Sequence, residues 1–294
     1  MAKDIQAKAT KLIPFEVYRY QLVVNKTIQF NIGDKYETAE DIRADKNRLF
    51  AEILDNEKFR FTSSHSEITS KQVFTKGDKT FYRLGVSRPL KFPHKDFTDN
   101  EVENFPNIIV GINNNPSVQK ILIQKKKGFS DTRTVSHILE LSFNAKLQKQ
   151  NLSFYIELMF DKNEFWNQEA KYKGGVTQLT FDLISSNMAM IFKSLKLDLK
   201  EIYEGTNIHK TQLQLNSDKD HLLQIDESSK FVNSLVEYSS EGAGNLAMRV
   251  KSLREQLHTA QSITEFSIDE QPPKSNYLGA LKNAFCEILI YDTK

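Results

Sequence analysis

The stretch LSFYIELMFDKNEFWNQEAKYKGGVTQLTFDLISS, residues 152–186, decides the fold class. Leu152, Phe154, Ile156, Leu158 and Phe160 alternate with Ser153, Tyr155, Glu157 and Met159. A period of two sends successive side chains to opposite faces, so this is a strand with one apolar face. A polar insert, 161–175, follows and holds the only tryptophan, Trp166. Leu179, Phe181 and Leu183 then alternate with Gln178, Thr180 and Asp182 as a second half-buried strand. The expectation is that the two lie at the centre of one sheet, with helices covering a face.

Outward from this stretch, Phe15–Val24 is aromatic and β-branched and reads as a first strand. A helix starts after Thr38, with Ile42, Leu49, Phe50, Ile53 and Leu54 as its apolar stripe. Thr38 and Asp41 form a capping box with Asp in place of Glu. Residues 59–62 and 80–87 read as strands, and 63–78 as a long loop or ragged hairpin. Residues 88–106 contain three prolines and read as irregular. Residues 107–113 and 117–125 form a hairpin around Asn114, Asn115 and Pro116. In 130–150, Leu139, Leu141, Phe143, Ala145 and Leu147 alternate as in a strand, whereas Val135, Leu139, Phe143 and Leu147 form a helical stripe. Length, composition and the Ser130/Asp131 cap favour the helix. Further helices are expected over 187–203 and 228–238, the latter stopped by Gly242 and Gly244. Strands are expected over 210–215, 246–250 and 263–268. Residues 277–291 read as a closing helix or strand.

The pattern predicts an α+β protein with antiparallel or mixed sheets, helices on one face and a ferredoxin-like style. It also predicts two lobes, 1–95 and 107–294, with the boundary in 88–106.

Forty basic and 38 acidic residues give a net charge of +2, so any polyanion site must be a local patch. One cysteine, Cys286, excludes an internal disulfide and a cysteine-based zinc site. Lysines and an aspartate interrupt every apolar run at the N-terminus, and no run reaches the roughly 20 residues of a membrane span. These features point to a cytoplasmic protein with no membrane contact.

Catalytic signatures are sparse. The six histidines form no metal-binding pair, no Walker A or GxSxG sequence occurs, and Gly242-Ala243-Gly244 follows a helix rather than preceding one. No cofactor is implied. Asp161, Glu169 and Lys171 resemble an acid, acid-x-Lys pattern, in which carboxylates hold a divalent metal and the lysine steers a phosphate. Two basic clusters are interleaved with aromatics. Lys120, Lys125, Lys126, Lys127, Phe129 and Arg133 form one; Arg83, Arg88, Lys91 and Lys95, among Tyr82, Phe92 and Phe97, form the other. Cations neutralise phosphates and exposed rings stack on bases, a mix suited to RNA or single-stranded DNA.

The segments HILELSFNAKLQKQN (137–151), LSFYIELMF (152–160) and VTQLTFDLISSN (176–187) resemble the middle region of bacterial proteins encoded near phage-defence and mobile-element genes. That resemblance implies a place in an antiviral defence complex and carries over no active-site residue. Three readings follow. The first is a nucleic-acid-binding subunit of such a complex. The second is a protein-interaction module, working as sensor, adaptor or homo-oligomeric scaffold with a protein partner. The third is a metal-dependent nuclease.

Overall fold

The computed structural model describes residues 11–25, 35–63, 66–184, 210–218, 221–258 and 264–270. The fold is α+β, and every strand pairing among these residues is antiparallel. A ferredoxin-like arrangement needs parallel neighbours joined by a crossover, and none occurs among the described residues.

Strand β1 (Lys11–Val24) is the spine of the larger sheet. Helix α1 (Ala39–Leu54) follows, and its capping box is formed: the Asp41 amide donates to Thr38 Oγ1 at 3.2 Å and the Thr38 amide to Asp41 Oδ2 at 2.9 Å. A hairpin of β2 (Ile68–Lys76) and β3 (Lys79–Val86) comes next. The chain then leaves the sheet as a short two-stranded arm, β4 (Leu90–Pro93) and β5 (Asp99–Val102). It returns as β6 (Asn107–Asn113) and β7 (Lys120–Gln124). Helix α2 (Thr132–Leu147) leads into β8 (Leu152–Leu158).

The strand order is β13-β1-β7-β6-β3-β2, where β13 is Glu265–Glu270. β1 pairs with β7 along one side. Along the other it pairs with two strands laid end to end, β13 beside residues 11–16 and β8 beside 18–24. The junction falls at Val17, whose amide donates to Thr264 O at 3.1 Å and whose carbonyl accepts from the Met159 amide at 2.9 Å.

Helices α1 and α2 cover one face of this sheet. Their apolar stripes meet Tyr18, Tyr20, Leu22, Leu84, Ile121 and Phe154 in a core that also takes in Phe59 and Phe61. Residues 59–62, expected as a strand, form no ladder; Phe59 and Phe61 serve as core plugs instead. The opposite face buries a smaller group: Ile13, Phe15, Val17, Phe81, Ile109, Leu122 and Met159.

A second sheet has the order β10-β9-β11-β12, from Val176–Ile184 (β9), Lys210–Asn216 (β10), Gly244–Val250 (β11) and Leu257–His258 (β12). Helix α3 (Lys162–Lys171), inside the polar insert, and helix α4 (Lys230–Tyr238) supply its cover. Phe165, Trp166, Leu179, Phe181, Leu235, Val236 and Leu246 form its core.

Two expectations are corrected. The strands 152–158 and 176–184 do not share a sheet: among the described residues β8 pairs with β1 alone, and β9 lies inside the second sheet. The segment 88–106 is not a boundary, because β3 before it and β6 after it pair in register from Lys79↔Asn113 to Gly85↔Asn107. The expected helix at 187–203, the 277–291 segment, Cys286, His65 and His209 lie outside the described residues.

Candidate interaction surface

The sequence-derived basic residues divide by environment. Lys120 is buried at the start of β7, directly across from Arg19 of β1. Burial, with Arg19 adding to it and Glu241 opposing it, pushes its ammonium down to about 8. Lys125 bridges two carboxylates, Glu265 at 2.7 Å and the buried Glu16 at 3.3 Å, and these raise its pKa. Glu16 in turn accepts a hydrogen bond from Thr132 Oγ1, which accepts one from Tyr18 OH at 2.9 Å, so this network ties α2 to β1. Lys126 Nζ donates to Asn107 O at 2.9 Å. Lys127 and Arg133 are exposed, while Phe129 is half-buried against the main core. Arg83 is exposed on β3 beside Lys71.

The two basic clusters meet at one point. Arg88, at the base of the β4–β5 arm, donates through Nη2 to Ser130 Oγ at 3.1 Å in the loop that carries Lys125 to Phe129. Arg88 therefore touches the loop that carries Lys126 and Lys127, and Lys126 itself reaches Asn107 where the chain re-enters the sheet; Arg133 instead lies within electrostatic reach of Tyr18 on β1 and Glu157 on β8. Lys91 and Lys95 lie on the arm itself and are exposed.

The arm is the feature that sequence reasoning missed. Leu90 faces Val102, and Phe92 faces Asn100, across the ladder. Directly opposed residues point to the same side, so Leu90, Phe92 and Val102 form one apolar face while Lys91 and Glu101 pair on the other. Leu90, Phe92 and Val102 are 46%, 52% and 51% exposed, and Phe97 at the tip is 100% exposed. The tip is fixed by hydrogen bonds. The His94 amide donates to Thr98 O at 2.8 Å and the Phe97 amide to His94 O at 3.0 Å. Asp96 Oδ1 accepts from the Thr98 amide and hydroxyl and lies 3.0 Å from His94 Nδ1. These contacts hold Phe97 at φ +64°, a left-handed conformation that costs a bulky residue free energy. The legible signal was the period-two pair Leu90 and Phe92; the prolines on either side obscured it.

The acid, acid-x-Lys pattern is taken apart by helix geometry. Asp161 caps α3, accepting from the Asn163 amide at 2.9 Å, whereas Glu169 is buried near the other end. Eight residues of helix place them about 12 Å apart along the axis. Lys171 lies 5.3 Å from the Tyr172 ring. Among the described residues no three His, Cys, Asp or Glu side chains are grouped to hold a metal ion. No described helix is long and apolar enough to cross a membrane.

A second charged group sits where the two sheets meet. Glu157 on β8 lies 3.9 Å from Lys210 on β10, and Lys210 Nζ lies 5.1 Å from the Tyr155 ring. Burial raises the Glu157 carboxyl from 4.5 to about 7; Lys210 and Arg133 oppose the rise, and Glu140 and Asp182 add to it. Its folded-state pKa is the higher one, so the folded chain binds this proton more tightly. Stability from this group is full below about pH 4.5 and is lost as pH rises through 7. Glu157→Gln should remove about 2 kcal/mol of that pH dependence, read from urea unfolding at pH 5 and pH 8. An unchanged slope would assign the pH dependence to other groups.

Compared with protein-family models, curated proteins and solved structures, the chain matches none.

Proposed function

We propose that the protein is an interaction module that docks on a protein partner through the β4–β5 arm. The observation that carries this reading is the arm's apolar face together with Phe97, fully exposed on a tip fixed by hydrogen bonds. An apolar anchor held rigid before binding loses little conformational entropy on association, and aromatic anchors in desolvated pockets dominate interface energetics. A two-stranded ribbon is marginal in water by itself, which gives its apolar face a reason to be covered. The arm's charge also suits a protein more than a polyanion: residues 88–103 hold three basic side chains, Arg88, Lys91 and Lys95, against four acidic ones, Asp96, Asp99, Glu101 and Glu103.

A second reading, binding of RNA or single-stranded DNA within a bacterial defence complex, is favoured by Arg88 at the arm's base and the exposed Lys126 and Lys127 of the loop it touches. It requires affinity that falls steeply with salt and weakens in Lys126→Glu/Lys127→Glu. The two readings separate in one experiment. A photo-crosslinking phenylalanine analogue replaces Phe97 in the full chain, and irradiated cells are analysed for adducts. The docking reading predicts a protease-sensitive, nuclease-resistant adduct. A nuclease-sensitive adduct, or no adduct, overturns it.

A further inference from the structure

We propose that the edge strand β10 is latched to β8 in a proton-dependent way, closed while Glu157 holds a proton and loosened as Glu157 ionises. This is independent of the docking reading, since it concerns the contact between the two sheets. Three features argue for it.

The first is how β10 is held. It is the outer strand of the second sheet, and among the described residues it pairs with β9 alone. None of its side chains is buried. Lys210, Gln212, Gln214 and Asn216 are exposed, and Thr211, Leu213 and Leu215 are half-buried. A strand with one ladder and no buried side chain opens locally, at less free energy than global unfolding.

The second is what β10 reaches. Leu213 and Leu215 lean on the second core, so Lys210 and Gln212 lie on the opposite, polar face of the sheet. There Gln212 Nε2 donates to Asp182 Oδ1 of β9 at 2.8 Å. Lys210 Nζ reaches β8, 5.1 Å from the centre of the Tyr155 ring and 3.9 Å from Glu157 Oε1. Tyr155 and Glu157 are two residues apart and share one face of their strand. At 3.9 Å the ammonium attracts an ionised Glu157 but does not hydrogen-bond it.

The third is the charge around Glu157, whose side chain is 28% exposed. Lys210 of β10 and Arg133 of α2 favour its ionised form, and Glu140 of α2 and Asp182 of β9 oppose it. His137 of α2 acts on Glu140. Arg19 of β1, directly across the ladder from Glu157, is engaged with Glu241 of the turn 239–243 at 3.6 Å. Ionisation therefore sets a third carboxylate beside two others in a partly dry junction. Opening β10 gives up the attraction of Lys210 but lets water reach the carboxylate, and burial is the larger of these two influences. The closed form keeps the proton more tightly, so closure is favoured below about pH 4.5 and weakens as pH rises through 7. A full return of Glu157 to 4.5 on opening would raise the opening constant roughly 70-fold between pH 5 and pH 8.

The test is amide hydrogen exchange of the full chain at pH 5, 6.5 and 8, each rate divided by the intrinsic rate at that pH. The protection of residues 211–216 is expected to lie below that of β3 and β6, to ignore dilute urea, and to fall tenfold or more from pH 5 to pH 8. Glu157→Gln should hold that change under about twofold. Glu140→Gln removes one opposing carboxylate and should move the fall to lower pH. Protection of 211–216 that is flat with pH, or a fall that survives Glu157→Gln or stays in place in Glu140→Gln, overturns the inference. So does protection of 211–216 that equals that of β3 and β6 and drops with it in urea, because Glu157 then acts through global unfolding alone.

Discussion

Phe143→Ala is expected to lower the unfolding free energy by about 4 kcal/mol, within the range for truncating a buried phenylalanine. Phe143 is fully buried on α2 and is the hub of an aromatic cluster. Its ring meets Phe50 edge-on at 4.9 Å, Phe59 stacked at 5.2 Å, Phe61 edge-on at 5.4 Å and Phe154 tilted at 5.1 Å. These partners come from α1, the 59–62 segment and β8, so one cavity would loosen three elements. The surrounding rings are themselves held from several sides, Phe154 stacking on Tyr20 at 5.1 Å, and cannot all collapse into the space. Thermal unfolding should shift down by roughly 8 °C. Phe97→Ala is the matched control: the ring is fully exposed, so its loss should change stability by less than about 0.5 kcal/mol. A mild effect at Phe143 would mean that the aromatic cluster is not packed as described.

Gly244→Ala should cost about 3 kcal/mol or more. Gly244 opens β11 and lies against β9, where an added Cβ would come within 2.0 Å of Asp182 O and 3.1 Å of Leu183 Cα. Both obstacles are backbone in a strand paired on its two sides, so the ladder has to open rather than a side chain turn away. Two residues earlier, Gly242 sits at φ +77° with its Cβ direction 2.6 Å from Arg19 Cβ on β1. Gly242 in the turn 239–243 and Gly244 just after it therefore touch β1 and β9, one in each sheet. Phe160 and Gln21 add to the contact, their amides reaching Ser240 O at 3.2 Å and Gly242 O at 3.4 Å. Trp166 lies in the second core and gives a fluorescence readout of that sheet. An early loss of the Trp166 signal in urea is the expected result. Unchanged unfolding would contradict the close approach of β11 to β9.

Much of this architecture was legible because its signals are local. The alternation in 152–160 and 176–183, the stripe of α1 and the Thr38/Asp41 box depend on residues a few positions apart, and each formed as read. Strand partners were not legible, because a period of two identifies a buried face and not the neighbour. β8 and β9 look alike in sequence yet belong to different sheets. The same limit explains the basic residues. Lys120 begins a strand that is buried along almost its whole length, since the sheet is covered on both faces. Lys125 meets Glu16 and Glu265, carboxylates far away along the chain. Neither fact is written in the KILIQKKK run itself. The arm was hidden for a different reason: Pro89, Pro93 and Pro106 read as a linker, but Pro93 ends a strand and the chain re-enters the sheet it left.

Photo-crosslinking from position 97 in the full chain tests the docking arm most directly. The account predicts a protease-sensitive, nuclease-resistant adduct that is lost when Leu90→Ser/Phe92→Ser removes the apolar face beside it. A nuclease-sensitive adduct, or an adduct unchanged by Leu90→Ser/Phe92→Ser, would contradict it.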